Sequence, residues 1–124
     1  MNGIDFFVDT NVLIYIMEGH RAVSGITQCS LAVSVISEIE LLGKPDIARN
    51  EINAIRSLLK DCEIIDFSNT IKDITISLKQ QHSIKTPDAI IAATAKSFDL
   101  PLITADKGFK KIKDIDIVLL DLQF

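Results

Sequence analysis

The chain has no tryptophan and one tyrosine, which argues against a surface that binds single-stranded nucleic acid by stacking its bases on aromatic rings. Its two cysteines, Cys29 and Cys62, fit no zinc or redox spacing, and they read as small core residues of a protein in a reducing cytosol. With five glycines in all, there is no Gly-rich phosphate loop, and no serine or cysteine sits in the elbow context of a covalent nucleophile. Arginine is scarce too. Arg21, Arg49 and Arg56 do not make a strongly basic track. The apolar runs are too short to span a bilayer, and several are interrupted by charge. The opening MNGIDFFVDT lacks a basic region ahead of a leader-like core, so the expected location is the cytoplasm.

What is present suits one folded unit. The 124 residues are 48% hydrophobic and 24% charged, with no low-complexity tract, repeat or linker, so a single domain over residues 1–124 is expected. Net charge is −4, which at first argues against a nucleic-acid partner. The balance differs locally, because Lys107, Lys110, Lys111 and Lys113 follow directly on Asp106. Such a run is either a solvated lysine face or a contact to phosphates.

Short apolar segments alternate with helical ones. Ile4 to Val8, Cys29 to Val33, Glu63 to Phe67, Leu102 to Thr104 and Ile117 to Leu120 read as strands. Between them, a turn at Thr10-Asn11 leads into a helix from Val12 to Met17, and Ser34 or Ser37 caps a helix ending at Gly43. Pro45-Asp46 opens an amphipathic helix to Lys60, and Ser68 caps another with Ile71, Ile74 and Leu78 on one stripe. Thr86 as cap and Pro87 at the first position start a helix whose body, Ala89 to Phe98, is apolar on nearly every face and therefore deep. The alternation implies an α/β sandwich with a mainly parallel sheet flanked by helices.

Four acids stand where strands end or helices begin: Asp9 in FFVDTN, Glu40 in VISEIELLG, Asp88 in KTPDAIIAATA and Asp106 in LITADKGF. Carboxylates beside apolar runs are costly to bury unless paired or bound to a cation, and a hard divalent ion takes oxygen ligands. One or two such ions could activate water against a phosphodiester, so the leading reading is a small metal-dependent nuclease. Each acid also has a plainer role. Asp9 could form an Asx turn and Asp106 a turn before Gly108, while Asp88 complements the dipole of its helix. Ser37-Glu38-Ile39-Glu40 fits a capping box, and periodicity does not choose between Glu38 and Glu40. His20 and His82 have no ligand-spaced partner.

VDTNVLI, ISEIELLG, PDAIIAATA and ITADKGF resemble, in order and spacing, the motifs of PIN-domain ribonucleases, and within them the VapC-type toxins of toxin–antitoxin pairs. The resemblance covers essentially the whole chain. It implies a three-layer sandwich around a parallel sheet, and an acidic pocket holding one or two Mg2+ or Mn2+ ions that cleaves RNA. By position, Asp9, Glu40, Asp88 and Asp106 match the family's four acids, and Glu40 is preferred over Glu38 because it precedes Leu41-Leu42-Gly43. Asn11 falls where a polar side chain contacts metal-bound water, and Thr104 where a hydroxyl supports the pocket. A homodimer and a small antitoxin are the implied partners, the antitoxin setting a basic side chain near the acids. The first helix and the helix after Pro45 are the candidate partner surfaces. Lys107, Lys110 and Lys111 are the candidate phosphate contacts. Two alternatives stay open: a catalytically silent interaction module on the same fold, and a phosphoryl-accepting receiver or phosphatase-like domain. The phosphatase would want a second aspartate where Asn11 stands.

Overall fold

A computed structural model describes Met1 and residues 3–123. Five strands form one sheet: β1 (Phe6–Val8), β2 (Leu31–Ser34), β3 (Glu63–Ile65), β4 (Leu102–Thr104) and β5 (Ile117–Leu119). Every pairing is parallel, in the order β3-β2-β1-β4-β5. Parallel neighbours need long crossovers, and helices supply them: α1 (Thr10–Met17), α2 (Val35–Leu42), α3 (Arg49–Lys60), α4 (Asn69–Gln81) and α5 (Thr86–Ser97). The expected α/β sandwich with helices about a parallel sheet is what forms, and the sheet is wholly parallel.

Side chains alternate faces along a strand, and here both faces are covered, so the strand runs are continuously apolar. Phe7, Ala32, Ile65 and Leu102 pack on one face with α4, α5 and the short 3-10 helix Lys107–Lys111. Val8, Leu31, Val33 and Ile103 pack on the other with Leu13 of α1 and Ile55 and Leu59 of α3. Helix α2 joins both layers at the end of β2. Its Ile36 meets the α5 side, and its Leu41 and Leu42 the α1–α3 side. Helix α5 is buried from Ala89 to Ala95, as its all-round apolarity predicts, and four alanines there let it lie close to its neighbours.

The structure moves several helix starts. Thr10 and Asn11 are the first helical residues of α1, because Asp9 caps it by accepting from the Val12 amide. Ser34 caps α2, so the Ser37–Glu40 capping box does not form. Helix α3 begins at Arg49 instead of Pro45, since Asp46 adopts φ 57°, outside helical space. Lys85 takes the cap position of α5 and Thr86 is its first residue, which makes Asp88 the third. Gly43 ends α2 where a Cβ would stand 2.5 Å from the Ile39 carbonyl oxygen, closer than any side chain tolerates.

Candidate active site

The chain leaves the central β1 toward β2 and β3, then returns to β4 on the other side of β1. Segments after β1 and β4 therefore diverge, opening a crevice at their carboxyl ends, where open parallel sheets bind ligands. The register pairs Val8 with Ile103, so Asp9 and Thr104 are the next residues out on adjacent strands. Asp9 is 5% exposed, and both its oxygens are engaged. Oδ1 accepts from the Val12 amide at 2.9 Å, and Oδ2 accepts from the Thr104 hydroxyl at 2.5 Å. Thr104 is fully buried, and its hydroxyl oxygen accepts from the Asp106 amide at 3.0 Å. One hydroxyl thus fixes the first acid and the backbone of the fourth.

Glu40 reaches the crevice from α2. The Thr10 hydroxyl donates to its Oε1 at 2.7 Å, and the buried Ser37 hydroxyl lies 2.8 Å from that of Thr10. Because the Thr10 proton goes to Glu40, Ser37 donates to Thr10. The result is a chain of two hydroxyls ending on a carboxylate. Ser37 and Glu40 are three residues apart, on one side of the helix. Asp106 caps the 3-10 helix, its Oδ1 accepting from the Gly108 amide at 2.8 Å. Asp88 comes in on the first turn of α5.

A cleft of about 260 Å3 is lined by Asp9, Thr10, Asn11, Glu40, Leu41 and Asp88, together with Ile14 and Ile91. Asn11 and Glu40 face it, and Glu38 is not among its lining residues. Asp106 borders an adjoining cleft through which it shares Asp88. Among the lysines singled out from sequence, Lys111 lines that second cleft, Lys107 lines a separate hollow near Leu119–Gln123, and Lys110 lines none of these.

Negative charge dominates the crevice. Burial pushes the Asp9 carboxyl above its ordinary range against the bonds from Thr104 and Val12, and Asp88 and Asp106 push it further. Asp88 is also raised, by burial first, then by Asp106 and Glu40, with Lys85 opposing. Among the described residues the ion pairs are Lys44–Glu51 and Lys96–Asp114, and neither touches the four acids. An all-oxygen, electron-rich set with its charges held against their own repulsion suits a hard divalent cation. As placed, no three acidic, histidine or cysteine side chains among the described residues stand close enough to share one ion directly. The donors fit such an ion by type and charge, with water completing the contacts or the exposed Glu40 and Asp106 side chains turning inward.

Sequence reasoning passed over Thr10, Ser37 and Lys85. The signals were adjacency to Asp9, the three-residue spacing to Glu40, and the three-residue spacing to Asp88.

The chain resembles known proteins over most of its length. The family model described as PIN domain matches residues 6–115. A chain of a toxin–antitoxin complex from Klebsiella pneumoniae is 31% identical, with a TM-score of 0.79 over 92% of this chain and 96% of that one. A chain of VapBC-1 from nontypeable Haemophilus influenzae is 26% identical, with a TM-score of 0.77 over 94% and 98%. VapBC2 from Rickettsia felis, solved bound to a DNA fragment from its promoter, shares the fold at 23% identity and a TM-score of 0.77, over 95% and 100%. No curated protein sequence matches the chain.

Proposed function

Since the chain belongs to the PIN-domain family, we propose that its residues 1–124 act as one cytoplasmic domain, a metal-dependent endoribonuclease and the toxin of a type II toxin–antitoxin pair. What supports this reading is that Asp9, Glu40 and Asp88, from three separate segments, line one cleft and Asp106 adjoins it through Asp88, with Asp9 buried and in no ion pair among the described residues.

Asp9, Glu40, Asp88 and Asp106 would hold Mg2+ or Mn2+, one or two ions, directly or through water. When bound, such an ion lowers the pKa of water and stabilises charge on a phosphodiester during hydrolysis. The chain's own residues do the positioning. Thr104 and the Val12 amide keep the Asp9 oxygens in one orientation. The Ser37–Thr10 relay sets Glu40, which is otherwise on an exposed helix face. Asn11 lines the same cleft and is placed to hydrogen-bond water there. No side chain need act as a covalent nucleophile, and Asp9, with both oxygens already bonded, is poorly set up for that task.

The partner would be a small antitoxin. A groove of about 510 Å3 runs between α1, α2 and α3, with Ile14, Met17, Leu41 and Ile55 among its apolar lining and Glu18, Glu40 and Glu51 as acids. It shares Ile14, Glu40 and Leu41 with the acidic cleft, so an apolar segment lying in it could set a basic side chain over the carboxylates. The chain would also self-associate, since Ile39, Phe67 and Ile76 expose large apolar side chains.

The test is expression of the wild-type chain alone, with growth and RNA integrity followed, then cleavage by purified protein in Mg2+ or Mn2+. Asp9→Asn should lose at least about a hundredfold in rate while keeping its circular dichroism spectrum. Full activity of that variant would sink the site. A wild-type chain that is harmless and inert on RNA with either ion would be an interaction module on this fold.

A further inference from the structure

Two clefts meet at Asp88. The acidic cleft lies on one side of it, and on the other is a cleft of about 250 Å3 bordered by Ile84, Lys85, Asp106, Gly108 and Lys111. The segment that carries Lys85 is fastened in place. Lys111 Nζ donates to the Ser83 carbonyl, and Lys79 Nζ donates to the Ile84 carbonyl at 3.0 Å. The Lys111 ammonium is therefore engaged, although that residue lines the cleft.

Lys85 differs. Its charge acts on Asp88 against the repulsion from Asp106 and Glu40, yet it takes part in neither ion pair among the described residues. Lysines elsewhere on this surface do close on their acids at 3.2 Å, Lys44 on Glu51 and Lys96 on Asp114. An ammonium that lines a cleft together with two acids and forms an ion pair with neither is placed for an anion entering from solvent. That anion must tolerate the acids in the same cleft. A chain of phosphates does so, because one phosphate can sit over the acids with a cation between them while its neighbour meets the ammonium.

We propose that Lys85 is the phosphate-binding residue of a subsite beyond Asp88, holding the phosphate next to the one that is cut. This rests on the nuclease reading above and adds the path of the strand: across Asp88, from the acidic cleft into the cleft of Lys85. The contact is to the backbone and carries no base preference. It suits a chain with three arginines and no tryptophan, in which a well-placed lysine matters more than in a basic protein.

The test uses the full chain and an end-labelled single-stranded RNA of mixed sequence. Binding is followed by anisotropy across a salt series at fixed Ca2+, in place of the catalytic ions, and KM and kcat are then measured in Mg2+ or Mn2+. Lys85→Ala should weaken binding about fivefold and lower the salt slope by about 0.7, the value for one phosphate contact on a single strand. KM should rise by a similar factor with kcat within about twofold, because the contact is made before and during cleavage alike. Lys85→Arg keeps the charge and should bind within about twofold of wild type. Lys60→Ala, at the other end of the sheet where α3 runs into β3, should change nothing. Unchanged binding and KM for Lys85→Ala, or an equal loss for Lys60→Ala, overturns the subsite and leaves the nuclease reading standing. A wild-type chain that neither binds nor cuts the RNA overturns both.

Discussion

Asp88 shows what the acids cost the empty protein. It forms no side-chain hydrogen bond among the described residues, and burial, Asp106 and Glu40 all raise its carboxyl above the ordinary 3.8 of the unfolded chain. Between those two values the folded state keeps a proton that the unfolded state has released. Stability therefore falls as pH rises through that window and stays lower above it. Asparagine cannot ionise, so Asp88→Asn in chelator should melt about 2–4 °C higher near neutral pH, with the gain vanishing below the ordinary carboxylate range. Saturating Mn2+ should reverse the order, because only the wild type has the full set of ligands. A variant that melts no higher at neutral pH in chelator would mean that repulsion is not the dominant local effect. The two glutamates separate by the same reasoning. Glu40 lines the acidic cleft and Glu38 does not, so Glu40→Gln should lose cleavage by at least about a hundredfold while Glu38→Gln stays within about threefold. Thr10→Val removes the donor to Glu40 and strands the buried Ser37 hydroxyl. It should lower cleavage about tenfold and stability by about 1–2 kcal/mol, with Thr10→Ser restoring both.

At the scale of elements, the site depends on how α2 and α5 begin. Ser34 is the last residue of β2 and the cap of α2 at once, 1% exposed, with its hydroxyl accepting from the Ile36 amide at 3.0 Å. This joint fixes the direction in which α2 leaves the sheet and hence the reach of Glu40. Ser34→Ala should cost about 1 kcal/mol, seen as a lower urea midpoint with an unchanged slope. Cleavage should fall by more than the stability loss explains, since Glu40 sits on the helix that loosens. At α5 the constraint is burial. With seven consecutive residues from Ala89 to Ala95 inside, the helix cannot rotate without exposing apolar surface, and Asp88 is held at the mouth of the crevice. The α5 start also places Lys85 one position before the first helical turn, in the cleft that Asp88 shares with Asp106.

For the whole molecule, a net charge of −4 and four converging carboxylates make a surface that repels RNA and attracts a basic partner unless cations intervene. Binding of substrate and of antitoxin should therefore respond in opposite ways to divalent ions. The groove between α1, α2 and α3 lets the two be separated genetically. Ala54 is exposed, lines that groove and does not border the acidic cleft. Ala54→Arg should leave cleavage within about twofold while weakening neutralisation by the proposed antitoxin at least about tenfold, because it adds bulk and like charge to the partner's path. Co-expression with growth as readout decides this, and retained neutralisation would place the partner elsewhere.

The order of strands and helices, the parallel sheet and the depth of α5 were legible in the sequence, because each follows from local periodicity and from runs apolar on every side. Leu102–Thr104 was delimited as observed, since Pro101 and the acids beyond it bound the run. The four acids could be picked out singly but not judged. Asp9 caps a helix where the plainer reading expected an Asx turn, and it also lines the acidic cleft, so a local backbone role and a place in the cleft were never exclusive. Whether Ser34 or Ser37 capped α2 was undecided by spacing. It was settled by the end of β2 in the sheet, which left the buried Ser37 hydroxyl to Thr10. Composition marked Lys107 to Lys113 as the basic cluster, yet of the two lysines that line the cleft of Asp88 and Asp106, Lys111 is tied to the Ser83 carbonyl and Lys85 lies outside the cluster. Clustering along a chain says nothing about which face a side chain occupies. That was decided by the crossover from β3 through α4 and α5 to β4, which carries residues distant in sequence to one crevice and sends near neighbours apart.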